Sequence, residues 1–189
     1  MDLIIFAHPD NENSHNAAVL KHITQRLRGA NRQFAIIDLY KDGFDPVLRI
    51  KNEDKRNRLL IENYSELITK SDRMIFIFPV WWYNLPAIMK GFIDLVFTSD
   101  FAYVFETNLG KDEIAKQKFT KKKAIVINTF GRAEGKLINS EKAFEEIFDN
   151  TILRFCGVDV KRINWFEVKQ PALVPSNIMK LIDEALSNI

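Results

Sequence analysis

A run of three aromatic residues, Trp81-Trp82-Tyr83, is the part of this chain best suited to hold a planar ligand. It follows the apolar segment 74–78 and precedes Pro86. Successive side chains of an extended segment point to opposite faces, so three adjacent rings do not all fit into one core. At least one ring must face outward, where it can contact a flat ligand. Filling of the core or of an interface is the alternative explanation for the run.

A second group of polar residues lies near the N-terminus. His8 follows an apolar segment, and Ser14, His15 and Asn16 stand at the expected start of a helix. Free N–H groups at a helix start, the helix dipole and a hydroxyl can together bind an anion such as phosphate. Ordinary N-capping explains Ser14 equally well. The histidines, with His22 the third, predict no metal site, because a spacing of seven residues separates them by roughly 10 Å along a helix.

Five short runs rich in Ile, Val and Phe could form the strands that position these groups. They are Leu3–Ala7, Phe34–Asp38, Met74–Phe78, Ala124–Asn128 and Ile163–Val168. Apolar residues recur at helical spacing between Ser14 and Gly29, in 60–68, in 144–155 and in 178–185. Gly29 is predicted to end the first helix and Pro86 to lie in the first turn of a later one. The alternation predicts an α/β fold with a doubly wound parallel sheet and helices on both faces.

Composition limits the class of protein. The 189 residues, 47% of them apolar, predict a single domain over 1–189. A net charge of +2 gives no reason to expect a nucleic-acid partner. Cys156 is the only cysteine, which fits a reducing, cytoplasmic location, and no apolar run approaches the length of a membrane helix. No glycine-rich dinucleotide fingerprint or Walker A sequence is present.

The segment from Phe78 to Phe97, with Phe101-Ala102-Tyr103 after it, resembles the flavin loop and next helix of flavodoxin-like NAD(P)H:quinone oxidoreductases. Weaker similarity extends to Phe6-Ala7-His8-Pro9, Ser14-His15-Asn16, Asp38-Leu39-Tyr40 and 124–131. This resemblance implies a five-stranded flavodoxin-like sheet of order 2-1-3-4-5. Ligands then bind above strands one, three and four.

The resemblance also implies which residues hold a flavin. In the family the phosphates bind at positions that correspond to His8, Ser14 and Asn16, and His15 stands where an aromatic residue is usual. The residues that would contact the ring are Pro79, Val80, Trp81, Trp82, Tyr83, Asn128, Thr129, Phe130 and Gly131.

The sequence departs from the family pattern in two places. The family has a Thr-Thr-Gly-Gly loop after the fourth strand, where this chain keeps Gly131 but carries Phe130 in place of the other glycine. Well-known members also use a Tyr and a His for proton movement, and neither occurs in 136–142. Tyr103 and Lys136 are the weak catalytic candidates that remain, together with backbone donors.

The resemblance implies a homodimeric flavin-dependent NAD(P)H oxidoreductase that reduces quinones by two electrons in alternating half reactions. FAD is preferred over FMN because the segment 100–123 is long and borders the pocket in the family. Its six lysines predict a solvated connection. The alternative is a flavin-binding ancillary subunit of a potassium efflux system, with a transporter as partner. A one-electron carrier is disfavoured, because such carriers are acidic and this chain has a pI near 8.6.

Overall fold

A computed structural model describes residues 1–49, 54–106, 114–136 and 138–187. One parallel sheet contains β1 (Asp2–Phe6), β2 (Phe34–Asp38), β3 (Arg73–Pro79), β6 (Lys123–Thr129) and β7 (Asp159–Trp165). A separate antiparallel pair contains β4 (Tyr103–Glu106) and β5 (Ile114–Gln117). The order of the five-stranded sheet is β2-β1-β3-β6-β7. The predicted flavodoxin-like order 2-1-3-4-5 is thereby confirmed, since β4 and β5 lie outside this sheet.

Helices cover both faces of the sheet. They are α1 (His15–Gly29), α2 (Lys55–Lys70), α3 (Ala87–Val96), α4 (Ile138–Glu145) and α5 (Ser176–Ser187), and a π-helix at Glu146–Arg154 continues α4. Apolar side chains of α1 and α5 pack on one face of the sheet, and those of α2, α3, α4 and the π-helix pack on the other. Strands β1 and β3 are buried at every residue, as expected for central strands of a parallel sheet.

The loops after β1, β3 and β6 open at the same edge of the sheet. In the register, Phe6 of β1 pairs with Ile77, whereas β3 and β6 continue together for two further residues, to Pro79 and Thr129. Val80 N–H then donates to the Thr129 carbonyl oxygen at 3.0 Å. The extra length of β3 and β6 raises their loops above the end of β1 and leaves space beside it.

The last strand begins earlier than predicted. It starts at Asp159 rather than Ile163 and ends at Trp165 rather than Val168. The strand lies at the edge of the sheet, and its burial alternates, so that Lys161 is exposed beside buried Val160. A search for continuous apolar residues therefore missed its charged first half.

The helix predicted over 144–155 changes its winding. Phe155 N–H donates to the Asn150 carbonyl oxygen five residues earlier, at 3.1 Å, as in a π-helix. The wider turn buries Phe148 and Asp149 and leaves Ile147 and Phe155 partly exposed. The helical spacing of apolar residues in 144–155 predicted a helix of 3.6 residues per turn, and the structure differs from that over Glu146–Arg154.

Two predicted helix boundaries are confirmed with a change in their details. Gly29 is the last residue of α1, but the left-handed residue that follows the helix is Asn31, with a φ of 52°. Pro86 precedes α3 as its cap, and its carbonyl oxygen accepts from Met89 N–H at 2.9 Å. Both findings fit the known roles of small or rigid residues at helix ends.

The segment 100–123 is not a simple solvated connection. Its described residues include β4 and β5, and the side chains of Phe101 and Phe119 pack edge to face, with 5.4 Å between ring centroids. Lys122 is also engaged: its ammonium donates to the carbonyl oxygens of Ile68 and Ser71, each at 2.6 Å, and so binds the end of α2. Residues 107–113 of this segment lie outside the described part of the chain.

Two glycines allow a matched test of packing. A Cβ on Gly91 of α3 would lie 2.3 Å from both Cβ and the carbonyl oxygen of Pro46, whereas a Cβ on Gly29 would meet nothing within 4 Å. We expect Gly91→Ala to lower the free energy of unfolding by at least about 2 kcal/mol, because the loop carrying Pro46 must move. Gly29→Ala should leave it unchanged or raise it by less than about 1 kcal/mol. Urea denaturation measures both; equal stability of the two variants would contradict the packing of α3.

Candidate functional site

Two adjoining cavities open where the loops after β1, β3 and β6 meet. The first has a volume of about 570 Å³ and is lined by His8, His15, Asn16, Pro79, Val80, Trp81, Trp82, Thr129, Gly131 and Val168. The second has a volume of about 390 Å³ and is lined by Val80, Trp82, Tyr83, Phe130, Gly131 and Arg132. Val80, Trp82 and Gly131 line both. Both volumes fall in the range typical of small-molecule sites.

The aromatic run forms a tight turn between the two cavities. Trp81 N–H donates to the Asn84 carbonyl oxygen at 3.2 Å, and Asn84 N–H donates back to Trp81 at 3.0 Å. The two central residues, Trp82 and Tyr83, have φ values of 53° and 54°. A two-residue turn with both φ values positive normally contains Asn, Asp or Gly.

This turn is costly, and it exposes a large ring. A side chain in the left-handed region costs roughly 1–2 kcal/mol per residue. Trp82 is 99% exposed, so in this chain its indole gains no packing energy that would offset the cost. Strained backbone of this kind is concentrated at functional sites. The outward-facing ring that the sequence requires is therefore Trp82, held beside both cavities.

The start of α1 forms the polar end of the first cavity. Ser14 caps this helix: its hydroxyl accepts from Ala17 N–H at 3.1 Å and donates to the Asp10 carbonyl oxygen at 2.5 Å. Capping accounts for Ser14, whose side chain does not line either cavity. The N–H groups of His15 and Asn16 have no acceptor within the described residues, and the first turn of α1 contains no acid. This end of the cavity suits an anion.

Asn16 has an unused hydrogen-bond acceptor at the wall of this cavity. Its side chain is almost completely buried, and its amide nitrogen donates to Thr129 Oγ1 at 3.0 Å. Its Oδ1 is buried and has no partner among the described residues. Buried polar atoms nearly always have partners, so this oxygen fits a ligand that brings a hydroxyl or N–H donor. A sugar-alcohol chain between a phosphate and a ring is such a donor.

The two histidines of the first cavity are held by backbone groups. His8 Nδ1 lies 2.9 Å from the carbonyl oxygen and 3.0 Å from the nitrogen of Asp10, which leaves Nε2 without a partner in the described chain. Burial lowers the pKa of His8, so its ring is mainly neutral at pH 7. His15 Nε2 is 2.8 Å from the Lys169 carbonyl oxygen, and its ring packs edge to face on Trp165. Both rings are fixed in place as cavity walls.

The loop after β6 is anchored to the segment that follows β7. Phe130 N–H donates to the Trp165 carbonyl oxygen at 2.8 Å, and its ring stacks on Phe166 with 4.6 Å between centroids. Glu167 N–H donates to the Arg132 carbonyl oxygen at 3.0 Å. These contacts fix the segment 130–132, which forms the rim between the two cavities. Phe130 is a wall of the second cavity.

The structure places one predicted ring-contact residue away from the cavities. Asn128 is fully buried, and its amide nitrogen donates to the Phe78 carbonyl oxygen at 3.0 Å. Its Oδ1 accepts from Arg162, whose guanidinium also binds the Asp149 carboxylate at 2.5 and 2.7 Å. Asn128 therefore supports the ends of β3 and β6 from the far side and does not line either cavity.

The two weak catalytic candidates also lie away from both cavities. Tyr103 is on β4, and its ring packs against Phe105 and Phe155 at centroid distances of 5.3 and 5.2 Å. Lys136 is exposed in the turn after β6. Neither side chain is among the described residues that line the two cavities.

Sequence reasoning missed two residues that line the cavities. Val168 was assigned to a strand, but it follows β7 and lines the first cavity. Arg132 lines the second cavity, directly after the predicted rim residue Gly131. The only signal in the sequence was that Arg132 directly follows Gly131, because an arginine in a loop is usually a solvated charge. The hydroxyl of Tyr83 is a third unexpected feature, since it is buried and has no partner among the described residues.

Other features bear on the class of site. No described helix has both the length and the apolar character needed to cross a membrane. Within the described ranges, no group of three or more His, Cys, Asp and Glu side chains is arranged to hold a metal ion.

Comparison with known proteins gives concordant matches. A family model described as a flavodoxin-like fold matches residues 3–188. The chain is 27% identical over 163 residues to a Haemophilus influenzae protein named uncharacterized NAD(P)H oxidoreductase, covering 83% of this chain and 78% of that protein. It is 25% identical over 158 residues to the FMN-dependent NADH:quinone oxidoreductase of Clostridium beijerinckii, covering 79% and 74%.

A solved structure agrees with these matches. The crystal structure of Smu.1420 from Streptococcus mutans superposes with a TM-score of 0.74 and 29% identity, covering 98% of this chain and 96% of that chain. The chain spans between 54% and 81% of the length of the curated relatives it matches. The similarity thus extends over nearly the whole of this chain.

The strained turn generates a stability prediction. Trp82→Gly and Trp82→Ala remove the same exposed ring, but only glycine adopts a positive φ without a steric cost. We expect Trp82→Gly to be more stable than Trp82→Ala by about 1 kcal/mol, after allowance for the greater freedom of glycine in the unfolded chain. Thermal unfolding without ligand measures the difference. A glycine variant less stable than the alanine variant would contradict a left-handed residue at this position.

Proposed function

The chain belongs to the flavodoxin-like fold family, and from this membership and its two cavities we propose that it is a flavin-dependent NAD(P)H oxidoreductase that reduces quinones. One observation carries the proposal. The first cavity joins an acid-free helix start, with the free N–H groups of His15 and Asn16, to the exposed indole of Trp82. A phosphate at one end and a planar ring at the other are the two ends of a flavin nucleotide.

We propose FMN as the flavin, although FAD was preferred on the length of the segment 100–123. No described residue of that segment lines either cavity, so the reason for preferring FAD loses its weight. The relative from Clostridium beijerinckii is named as FMN-dependent. The single terminal phosphate of FMN would bind at the start of α1, and its ribityl hydroxyls would supply the donor that Asn16 Oδ1 lacks.

A bound flavin would supply two-electron transfer between a nicotinamide and an acceptor. The residues of the chain would hold the ring between the turn at Trp82 and the rim at Gly131. The N–H groups of Trp82, Tyr83, Gly131 and Arg132 have no acceptor among the described residues. Donors arranged in this way can stabilise negative charge on a ring without an ionisable catalyst. The second cavity would receive the nicotinamide and the acceptor in turn, which gives alternating half reactions.

The proposal includes a homodimer, for which exposed apolar side chains give physical support. Phe105 and Phe155 are 47% and 38% exposed and lie side by side, with 6.5 Å between ring centroids. Cover by a second copy would remove this apolar surface from water. Multi-angle light scattering would show the dimer mass.

Stopped-flow absorbance tests the proposed activity. We expect NADH or NADPH to bleach the FMN-loaded protein, and menadione or benzoquinone to restore its colour. Turnover should be slow, because the Tyr and His that move protons in well-known members of the family have no match in 136–142, and loss of such help costs roughly a hundredfold. If neither nucleotide bleaches the loaded protein within minutes, the enzyme assignment is wrong. A flavin-binding regulatory subunit of a potassium efflux system is then the better account.

A further inference from the structure

Two residues that line the second cavity carry polar groups without a partner among the described residues. The Tyr83 hydroxyl is buried and makes no hydrogen bond within the described chain. Among the described residues, no carboxylate lies within 4.0 Å of the Arg132 guanidinium, and no acceptor receives a hydrogen bond from it. A buried hydroxyl without a partner destabilises the folded protein, because it has lost its hydrogen bonds to water. A ligand with an acceptor for each group would offset that cost.

The position of Arg132 is set by its backbone. Its carbonyl oxygen accepts from Glu167 N–H at 3.0 Å. Two residues earlier, Phe130 N–H donates to the Trp165 carbonyl oxygen, and the Phe130 carbonyl oxygen accepts from Val168 N–H. Among the described residues that line the two cavities, Arg132 is the only Lys or Arg. The side chain is exposed, and its backbone is held at the mouth of the second cavity.

The other walls of this cavity are apolar and largely flat. Phe130 is 5% exposed and is held by its stack on Phe166. Val80 and Trp82 complete the apolar lining. A volume of about 390 Å³ accommodates one or two fused aromatic rings.

We propose that the second cavity selects planar aromatic acceptors that carry an anionic substituent, a carboxylate or a sulfonate, next to the reducible carbonyl. The Arg132 guanidinium binds the anion through paired N–H donors, and the Tyr83 hydroxyl donates to a carbonyl oxygen of the ring. The inference rests on the proposed function and names its substrate class. The overall reaction is unchanged: NAD(P)H and one proton from solvent convert the quinone into a hydroquinone and NAD(P)⁺.

A matched pair of acceptors tests this selectivity in the FMN-loaded protein. The rate constants for reoxidation by 1,4-naphthoquinone-2-sulfonate and by 1,4-naphthoquinone are measured separately, and their ratio is compared between variants. The comparison removes the intrinsic difference in reactivity between the two quinones. We expect Arg132→Gln to lower the ratio about tenfold and Arg132→Lys to lower it less, because lysine keeps the charge but not the paired donors. Tyr83→Phe should slow both acceptors and leave the ratio unchanged.

Two controls exclude other origins of the effect. Arg58→Gln removes an exposed charge on α2, away from both cavities, and should leave the ratio unchanged. If Arg132 instead binds the phosphates of the dinucleotide, Arg132→Gln would slow flavin reduction by NADH and NADPH and leave the ratio of the two quinones unaltered. That result would overturn the proposal.

A redox-inert ligand separates this inference from the proposed function. Naphthalene-2-sulfonate and its neutral analogue naphthalene-2-sulfonamide are titrated into the FMN-loaded protein, with tryptophan fluorescence as the signal. The sulfonate should bind more tightly than the sulfonamide in the natural chain, and Arg132→Gln should abolish that preference even if the protein reduces no quinone. Equal affinities of the two ligands in the natural chain would overturn the inference, whatever the outcome of the reduction assay.

Discussion

Both cavities depend on the pairing of β3 with β6, which continues beyond the end of β1. The two strands remain in register through Pro79 and Thr129, and the bond from Val80 N–H to Thr129 extends the pairing by one more step. The loop with the aromatic turn and the loop with the rim therefore leave the sheet at the same level, and a gap lies between them. On the far side, the buried cluster of Asn128, Arg162 and Asp149 holds these strand ends. A buried ion pair is expensive unless its members are fully bonded, and here every member has a partner.

Several departures from the ordinary local rules meet at the site, whereas single ones occur elsewhere in the described chain, as at Asn31 and Arg73. The sheet buries continuous apolar strands and the helices carry ordinary caps, whereas the site contains two left-handed aromatic residues, a fully exposed indole and two buried unpartnered oxygen atoms. Proteins retain such features where function requires them. The proposed flavin nucleotide would account for several of them together: its phosphate would satisfy the start of α1, its hydroxylated chain would satisfy Asn16, and its ring would contact Trp82. Simple filling of a core would explain none of these.

The sequence was sufficient for most strands and helices, because periodicity and strand burial are local signals, whereas the order of the sheet came from the family resemblance. It was also sufficient to place the aromatic turn, the start of α1 and the rim at one edge of the sheet. It failed where a tertiary contact overrides the local pattern. The π-helix turns Asp149 inward to meet Arg162, and the charged half of β7 is a strand only because it pairs with β6. Asn128 faces away from both cavities because its side chain bonds to Phe78 and Arg162. Arg132 is held at the second cavity by the backbone bond from Glu167. None of these partners is near in sequence.

The central claim is that the first cavity binds a flavin nucleotide with its phosphate at the start of α1. Titration of the purified protein with FMN and with riboflavin, which differ only in that phosphate, tests the claim directly. Charge-assisted hydrogen bonds from the free N–H groups of His15 and Asn16 predict a Kd for FMN about a hundredfold lower than that for riboflavin. High salt should reduce the difference. Equal affinity for FMN and riboflavin, or binding of neither at micromolar concentration, would contradict this account of the site.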